Sequence, residues 1–170
     1  MNRWRITHWM LALGLASPAA AFGQLGSGQT GGAFGVSLPV GPLASGHQAG
    51  FNLSGFAEYH APSEPMGVRA ELLYERFEAV QNSTVGANQA IGATINAVYH
   101  IPGRAYHPYL IGGMGAYKVT AESTCPGFNG GAGIEIPLTG MRAYFEARVH
   151  KVLTARSSYA AIPISFGLSF

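Results

Sequence analysis

From about residue 34 to its end the chain keeps one rhythm: runs in which every second residue is apolar, broken by clusters of Gly, Pro, Ser and Asn. Period-two alternation marks a strand with two unlike faces. Eight such runs can be read. The first sets Phe34, Val36, Leu38 and Val40 on one face. The second opposes Phe51, Leu53, Gly55, Ala57 and Tyr59 to Asn52, Ser54, Phe56, Glu58 and His60. The third opposes Val68, Ala70, Leu72 and Tyr74 to Arg69, Glu71, Leu73 and Glu75. In the fourth, Ile91, Ala93, Ile95, Ala97 and Tyr99 alternate with Gly92, Thr94, Asn96, Val98 and His100. The fifth groups Tyr109, Ile111, Gly113, Gly115 and Tyr117.

The sixth run carries Phe128, Gly130, Ala132, Ile134 and Ile136 against Asn129, Gly131, Gly133 and Glu135. The seventh is the cleanest: Met141, Ala143, Phe145, Ala147 and Val149 alternate with Arg142, Tyr144, Glu146, Arg148 and His150. The eighth begins after Tyr159 and sets Ile162, Ile164, Phe166, Leu168 and Phe170 against Pro163, Ser165, Gly167 and Ser169. Between the runs lie turn-formers: Gly41-Pro42, Ala61 to Pro65, Asn82 to Thr84, Pro102 to Arg104, Glu122 to Pro126, and Pro137 to Gly140. No stretch reads as a capped amphipathic helix. The pattern predicts an all-β protein, an eight-stranded antiparallel up-and-down barrel.

Composition decides what the apolar face meets. Charged residues make up 11% of the chain and aspartate is missing, whereas soluble domains use about a quarter charged residues. A surface so poor in charge is ill suited to water, and after the N-terminus no apolar stretch is long enough for a transmembrane helix. A closed barrel remains, because it satisfies its backbone polar groups strand to strand within lipid. The net charge of +2 is scattered and gives no nucleic-acid patch. The N-terminus adds an address. Arg3 and Arg5, the short apolar run Met10 to Leu15, and the small residues Ser17 to Ala21 follow the plan of a secretory signal peptide. The expected organisation is a signal peptide over 1–21, cleaved after Ala21 or Gly23, and a barrel over 22–170. The lone Cys125 has no internal disulfide partner and is expected in a loop.

With an even number of strands and both termini at the periplasmic side, the apolar-face aromatics sort into two levels. Tyr59, Tyr99, Tyr109 and Phe170 fall at periplasmic ends; Phe51, Tyr74, Tyr117 and Phe128 fall at the opposite ends. Transmembrane barrels carry such girdles at both interfaces. Tyr109 to Tyr117 is eight steps, roughly 26 Å of strand, or about 20 Å of depth at a tilt near 40°. The other face collects Glu58, Arg69, Glu71, Glu75, Glu135, Arg142, Glu146, Arg148 and His150, with His60 and His100. An eight-stranded interior is filled by side chains, and buried charges there have to pair. Simple hairpin registers set Glu58 opposite Arg69 and Glu135 opposite Arg142.

Signal peptide, eight alternating strands, the hairpin segment Pro108-Tyr-Leu-Ile-Gly-Gly-Met-Gly-Ala-Tyr117 and a terminal Phe together resemble the small outer-membrane barrels of the OmpA and OmpX type, and more broadly the outer membrane protein beta-barrel domain group. The resemblance spans the whole mature chain. It implies residence in the outer membrane of a Gram-negative-type envelope, porin-like in shape, with outer-membrane lipids as surroundings. It also implies a last strand, through Phe166, Leu168 and Phe170, that is read by the barrel-insertion machinery. Pro163 and Ser165 depart from that signal. A monomeric structural barrel without cofactor, metal or open pore is the expected function.

Some barrels of this kind are lipid-modifying hydrolases, which need a nucleophile beside a base. Here His150 has Glu146 nearby but no serine near it in the seventh run, and His-x-Ser is absent. No enzyme is expected. His60, His100 and His107 gather at one rim without evident supporting partners for a metal. The competing reading is a soluble or periplasmic lipocalin-like barrel with an apolar ligand inside, which would give the same stripes with the faces reversed.

Overall fold

The computed structural model describes residues 27–170 apart from Pro62, Asn82, Ser83, Arg104, Ala121 and 155–158. The expected signal peptide with its cleavage points at Ala21 and Gly23 lies outside the described residues, as do parts of the turns expected around Pro62, Asn82 and Arg104. The chain forms eight strands: β1 (Ser27–Pro39), β2 (Gly50–His60), β3 (Met66–Phe77), β4 (Asn88–His100), β5 (His107–Val119), β6 (Thr124–Leu138), β7 (Met141–Val152) and β8 (Tyr159–Ser169). Each pairs antiparallel with its sequence neighbour, and β1 closes on β8. The result is an up-and-down barrel without a free edge.

Three connections lie at the end that carries the C-terminus, here the near end. The tightest is Thr139-Gly140, where Gly140 takes φ +80°, a left-handed conformation that favours glycine. Four connections lie at the far end. The first holds a short 3-10 helix, Gly41–Ser45, whose Leu43 is buried in the barrel mouth. His47 then bonds the carbonyls of Leu43 (3.2 Å) and Gly86 (3.1 Å), tying this loop to the one between β3 and β4.

The two faces are unlike, with the apolar one outside. Phe34, Leu72, Ile95, Met114 and Phe145 all stand exposed on the outer wall, whereas Glu58, Arg69, Glu71 and Asn96 are buried within. This is opposite to a soluble carrier with an apolar interior. The lipocalin-like alternative therefore does not fit.

β5 reverses one expectation. Tyr109 and Tyr117 do not stand on the outer wall with the girdles; they are 1% and 0% exposed and point inward. The outward residues of β5 include Leu110, Met114 and Lys118. The physical reason is complementary bulk. Tyr109 lies across from Gly133 and Tyr117 across from Gly92, and a methyl group added at either glycine would meet the tyrosine ring. Phe56 opposite Gly31 and Tyr144 opposite Gly167 repeat the arrangement. The depth ruler survives on another strand. Phe51 and Tyr59 both stand exposed on β2, eight steps apart, again about 20 Å of depth at a ~40° tilt.

Two further corrections concern β6. Cys125 is not in a loop: it lies within the strand and is 7% exposed on the inner side. Arg142 faces Pro137, and Glu135 faces Tyr144. The two-residue turn brings Leu138 opposite Met141, which shifts the register by two residues from that of a four-residue turn. Pro163 has Ser37 as its partner on β1, while on the β7 side the ladder lapses between Ala147–Ile164 and His150–Ala161. A residue without an amide hydrogen sits there without a lost ladder bond.

Candidate functional site in the barrel interior

The interior is a column of polar side chains with apolar packing above and below it. Alternation on every strand aims one residue in two inward, so charged residues at i and i+2 stack along the bore. At mid-height Arg69 on β3 donates through Nε to Glu58 (2.7 Å) and through Nη1 to Glu146 (2.9 Å). Arg148 on β7 forks onto both oxygens of Glu71 (2.6 and 2.6 Å), and its Nε lies 2.8 Å from Glu146. β3 and β7 are four strands apart in a ring of eight. They therefore form opposite walls, and these pairs cross the whole bore. Tyr109 adds a hydroxyl donor to Glu146 (2.7 Å), and the Arg69 guanidinium lies 4.1 Å from the Phe56 ring centre. Cation–π contact of this kind is stronger where water is excluded.

Towards the far end Glu75 pairs with no arginine among the described residues. It accepts from Ser37 (3.0 Å) and from Tyr159, and His150 Nδ1 stands 3.7 Å away. Ser165 donates to Asn52 (2.7 Å), which donates on to Ser37. Above this level Leu43, Phe77, Tyr117, Val119, Val152 and Tyr159 form an apolar cluster that fills the mouth.

Towards the near end His100 Nε2 meets Glu58 at 2.7 Å, and its ring lies 5.8 Å from that of His60. Gln29 bridges Glu135 (3.4 Å) and Arg142. The pairing expected between those two is thus indirect, through a side chain on β1. A cavity of about 430 Å³ opens at this end, lined among others by His60, His100, His107 and Arg142. Among the described residues no three His, Cys, Asp or Glu side chains converge as a metal site.

The structure brings together all nine residues picked as a polar column: Glu58, Arg69, Glu71, Glu75, Glu135, Arg142, Glu146, Arg148 and His150. On the outer wall Tyr59, Tyr99 and Phe170 stand exposed at the near end. Phe51 and Phe128 stand exposed at the far end, with Tyr74 half-buried 5.8 Å from Phe51. Phe166 and Leu168 face outward on β8 and are half-buried. Sequence reasoning missed Gln29 and Ser37. Both lie inward on β1, whose first seven residues (27–33) carry too many glycines to show alternation. The parity of Val36 and Leu38 gives Ser37 away.

The outer membrane protein beta-barrel domain model matches residues 9–170. Among solved structures, Neisserial surface protein A superposes with a TM-score of 0.68 at 12% identity, covering 84% of this chain and 95% of that one. The outer membrane enzyme PagL gives 0.53 at 11%, covering 84% and 98%. Outer membrane protein OprG from Pseudomonas aeruginosa gives 0.51 at 12%, covering 84% and 96%. At these identities the likeness is one of fold. No curated protein matches in sequence.

Proposed function

Because the chain belongs to the outer membrane protein beta-barrel domain family, we propose that it serves as a closed structural barrel in the outer membrane of a Gram-negative-type envelope. In this reading residues 1–21 export it, and outer-membrane lipids surround it as a monomer. The insertion machinery reads Phe166, Leu168 and Phe170. One observation carries the proposal: the Arg69–Glu146 and Arg148–Glu71 pairs span the bore between opposite walls. Solute passage would have to break charge pairs that are almost fully buried, and an unpaired buried ion is costly.

The same geometry disfavours catalysis. Ser37, Glu75 and His150 lie close together, but the serine donates to the carboxylate rather than to the imidazole. All three are at most 1% exposed. A nucleophile needs its base within hydrogen-bond reach and a path for substrate. The likeness to an outer membrane enzyme is one of fold and brings no site with it.

Single-channel recording in planar bilayers tests the closed-barrel reading. Wild type and Arg142→Ala should both hold a closed baseline, since Arg142 stands at the near mouth and the crossing pairs lie deeper. Regular conductance steps in wild type would overturn it.

A further inference from the structure

The outer wall is not evenly covered. Two adjacent rows of outward positions run across β1 to β5 at right angles to the strands, one from Thr30 to Met114 and the other from Gly32 to Ala116. Between them lies a groove of about 730 Å³. Gly55, Ala57, Ala70 and Ala93 keep it open, while Leu72, Ile95 and Met114 stand at its sides. Its floor is backbone.

Geometry sets what fits. Outward rows are two residues apart, roughly 6.7 Å. A single hydrocarbon chain enters a slot of that width, whereas the broad face of a second barrel would rest on its rims. Four strand spacings of about 4.8 Å make the groove ~19 Å long. With strands tilted near 40°, it rises by about 12 Å, half of a ~25 Å apolar band. That is the depth of one leaflet.

Charge sets the polarity. On β5, Met114, Ala116 and Lys118 share the outer face, so exposed Lys118 stands above the upper end of the groove. Among the described residues the outward-facing basic side chains are Arg76, Lys118 and Lys151, all at far strand ends. Arg76 is engaged with Glu78 at 2.7 Å. At the near end Arg142 turns inward to Gln29.

We propose that this groove seats one acyl chain of an anionic lipid from the far leaflet, with the phosphate of its headgroup at Lys118. The proposal rests on the outer wall facing lipid. The chain descends past Met114 and Ala93 towards Ala57, and the lysine selects headgroup charge.

Native mass spectrometry of the mature protein, released from detergent containing dimyristoyl phosphatidylglycerol or dimyristoyl phosphatidylcholine, tests it. Wild type should retain one phosphatidylglycerol over phosphatidylcholine by about fivefold, the preference expected for one lysine near a membrane surface. Lys118→Ala should abolish that preference yet still retain phosphatidylcholine. Ala70→Leu/Ala93→Leu, and independently Ala57→Met, should lose either lipid because they fill the slot. Ala147→Leu, on the opposite wall in β7, should behave as wild type. Heat-modifiable migration and insertion into vesicles are scored first, so failure of the barrel itself is distinct from failure of the groove. A folded wild type that retains no lipid, or groove-filled variants that retain it undiminished, would overturn the proposal. So would a dimer that disappears in those variants, since the groove would then hold a second copy.

Discussion

Arg148→Met asks whether the crossing charges hold the barrel together. The substitution keeps an unbranched apolar stem and removes one cation from a network of 2.6 to 2.8 Å contacts. It leaves Glu71, 4% exposed, without its two guanidinium bonds. Glu146 fares better, because Arg69 (2.9 Å) and the Tyr109 hydroxyl (2.7 Å) still reach it. Removing one partner of a buried pair costs about 3–5 kcal/mol, most of it the stranded charge. Glu71 is the stranded charge here. Adding Glu71→Gln removes it, and replacing both members of such a pair is often near neutral. The double variant should therefore recover most of the loss.

The readout is urea unfolding of the refolded barrel in detergent micelles, followed by heat-modifiable migration. With a slope of about 2 kcal/mol per molar urea, a loss of ~3–5 kcal/mol moves the midpoint down by about 1.5 to 2.5 M. Arg148→Met/Glu71→Gln should lie within about 1 M of wild type on the same scale. Two results refute the reasoning. Either the single variant unfolds where wild type does, or the double unfolds no later than the single. The first would mean the charges are hydrated through the bore. The second would mean that the arginine contributes through packing rather than charge.

Gly133→Ala should lower stability by about 1–3 kcal/mol, because its methyl meets the Tyr109 ring and overpacks the core. Gly130→Ala, whose methyl finds only a backbone oxygen 3.8 Å away on the outer face, should be neutral or slightly stabilising in the same titration. Phe34→Arg places a charge midway up the apolar band and should cost about 2–4 kcal/mol, against about 0–1 for Phe51→Arg at the far girdle; equal costs would contradict the placement of the band. Cys125, nearly buried, should resist a bulky maleimide in the folded barrel and react once urea unfolds it, as mass spectrometry would show.

Strands with a charge on one face were open to reading from sequence. On β3 and β7 the inward Arg69, Glu71, Arg142, Glu146 and Arg148 each have a Val, Ala or Phe beside them, and the period shows. Glu58 and Arg69 could be paired because five residues separate β2 from β3 and the register follows the turn. The pairing of Glu135 with Arg142 failed for the same kind of reason. Pro137 and Leu138 look like turn residues, yet they continue the ladder to a two-residue turn. Contacts between walls that are not sequence neighbours, such as Arg148 with Glu71, follow from barrel closure and tilt, which no local pattern records.

β5 shows where alternation itself runs out. Both of its faces read as apolar: Tyr109, Ile111, Gly113, Gly115 and Tyr117 on one, Leu110, Gly112, Met114 and Ala116 on the other. Aromatic character cannot choose between them, since aromatics belong to girdles and to filled interiors alike. Cross-strand partners can. Phe56, Tyr109, Tyr117 and Tyr144 are inward and face Gly31, Gly133, Gly92 and Gly167. Outward Phe34, Phe166 and Phe145 face one another instead, with ring centres 6.1 and 5.0 Å apart. The difference is one of room. In a bore just wide enough for side chains, a ring lies flat only where the neighbouring strand has no Cβ, whereas the outer wall gives every ring space to stand. The glycines that blur alternation along β5 and β6 are therefore what seats Tyr109 over Gly133 and aims its hydroxyl at Glu146, between Arg69 and Arg148.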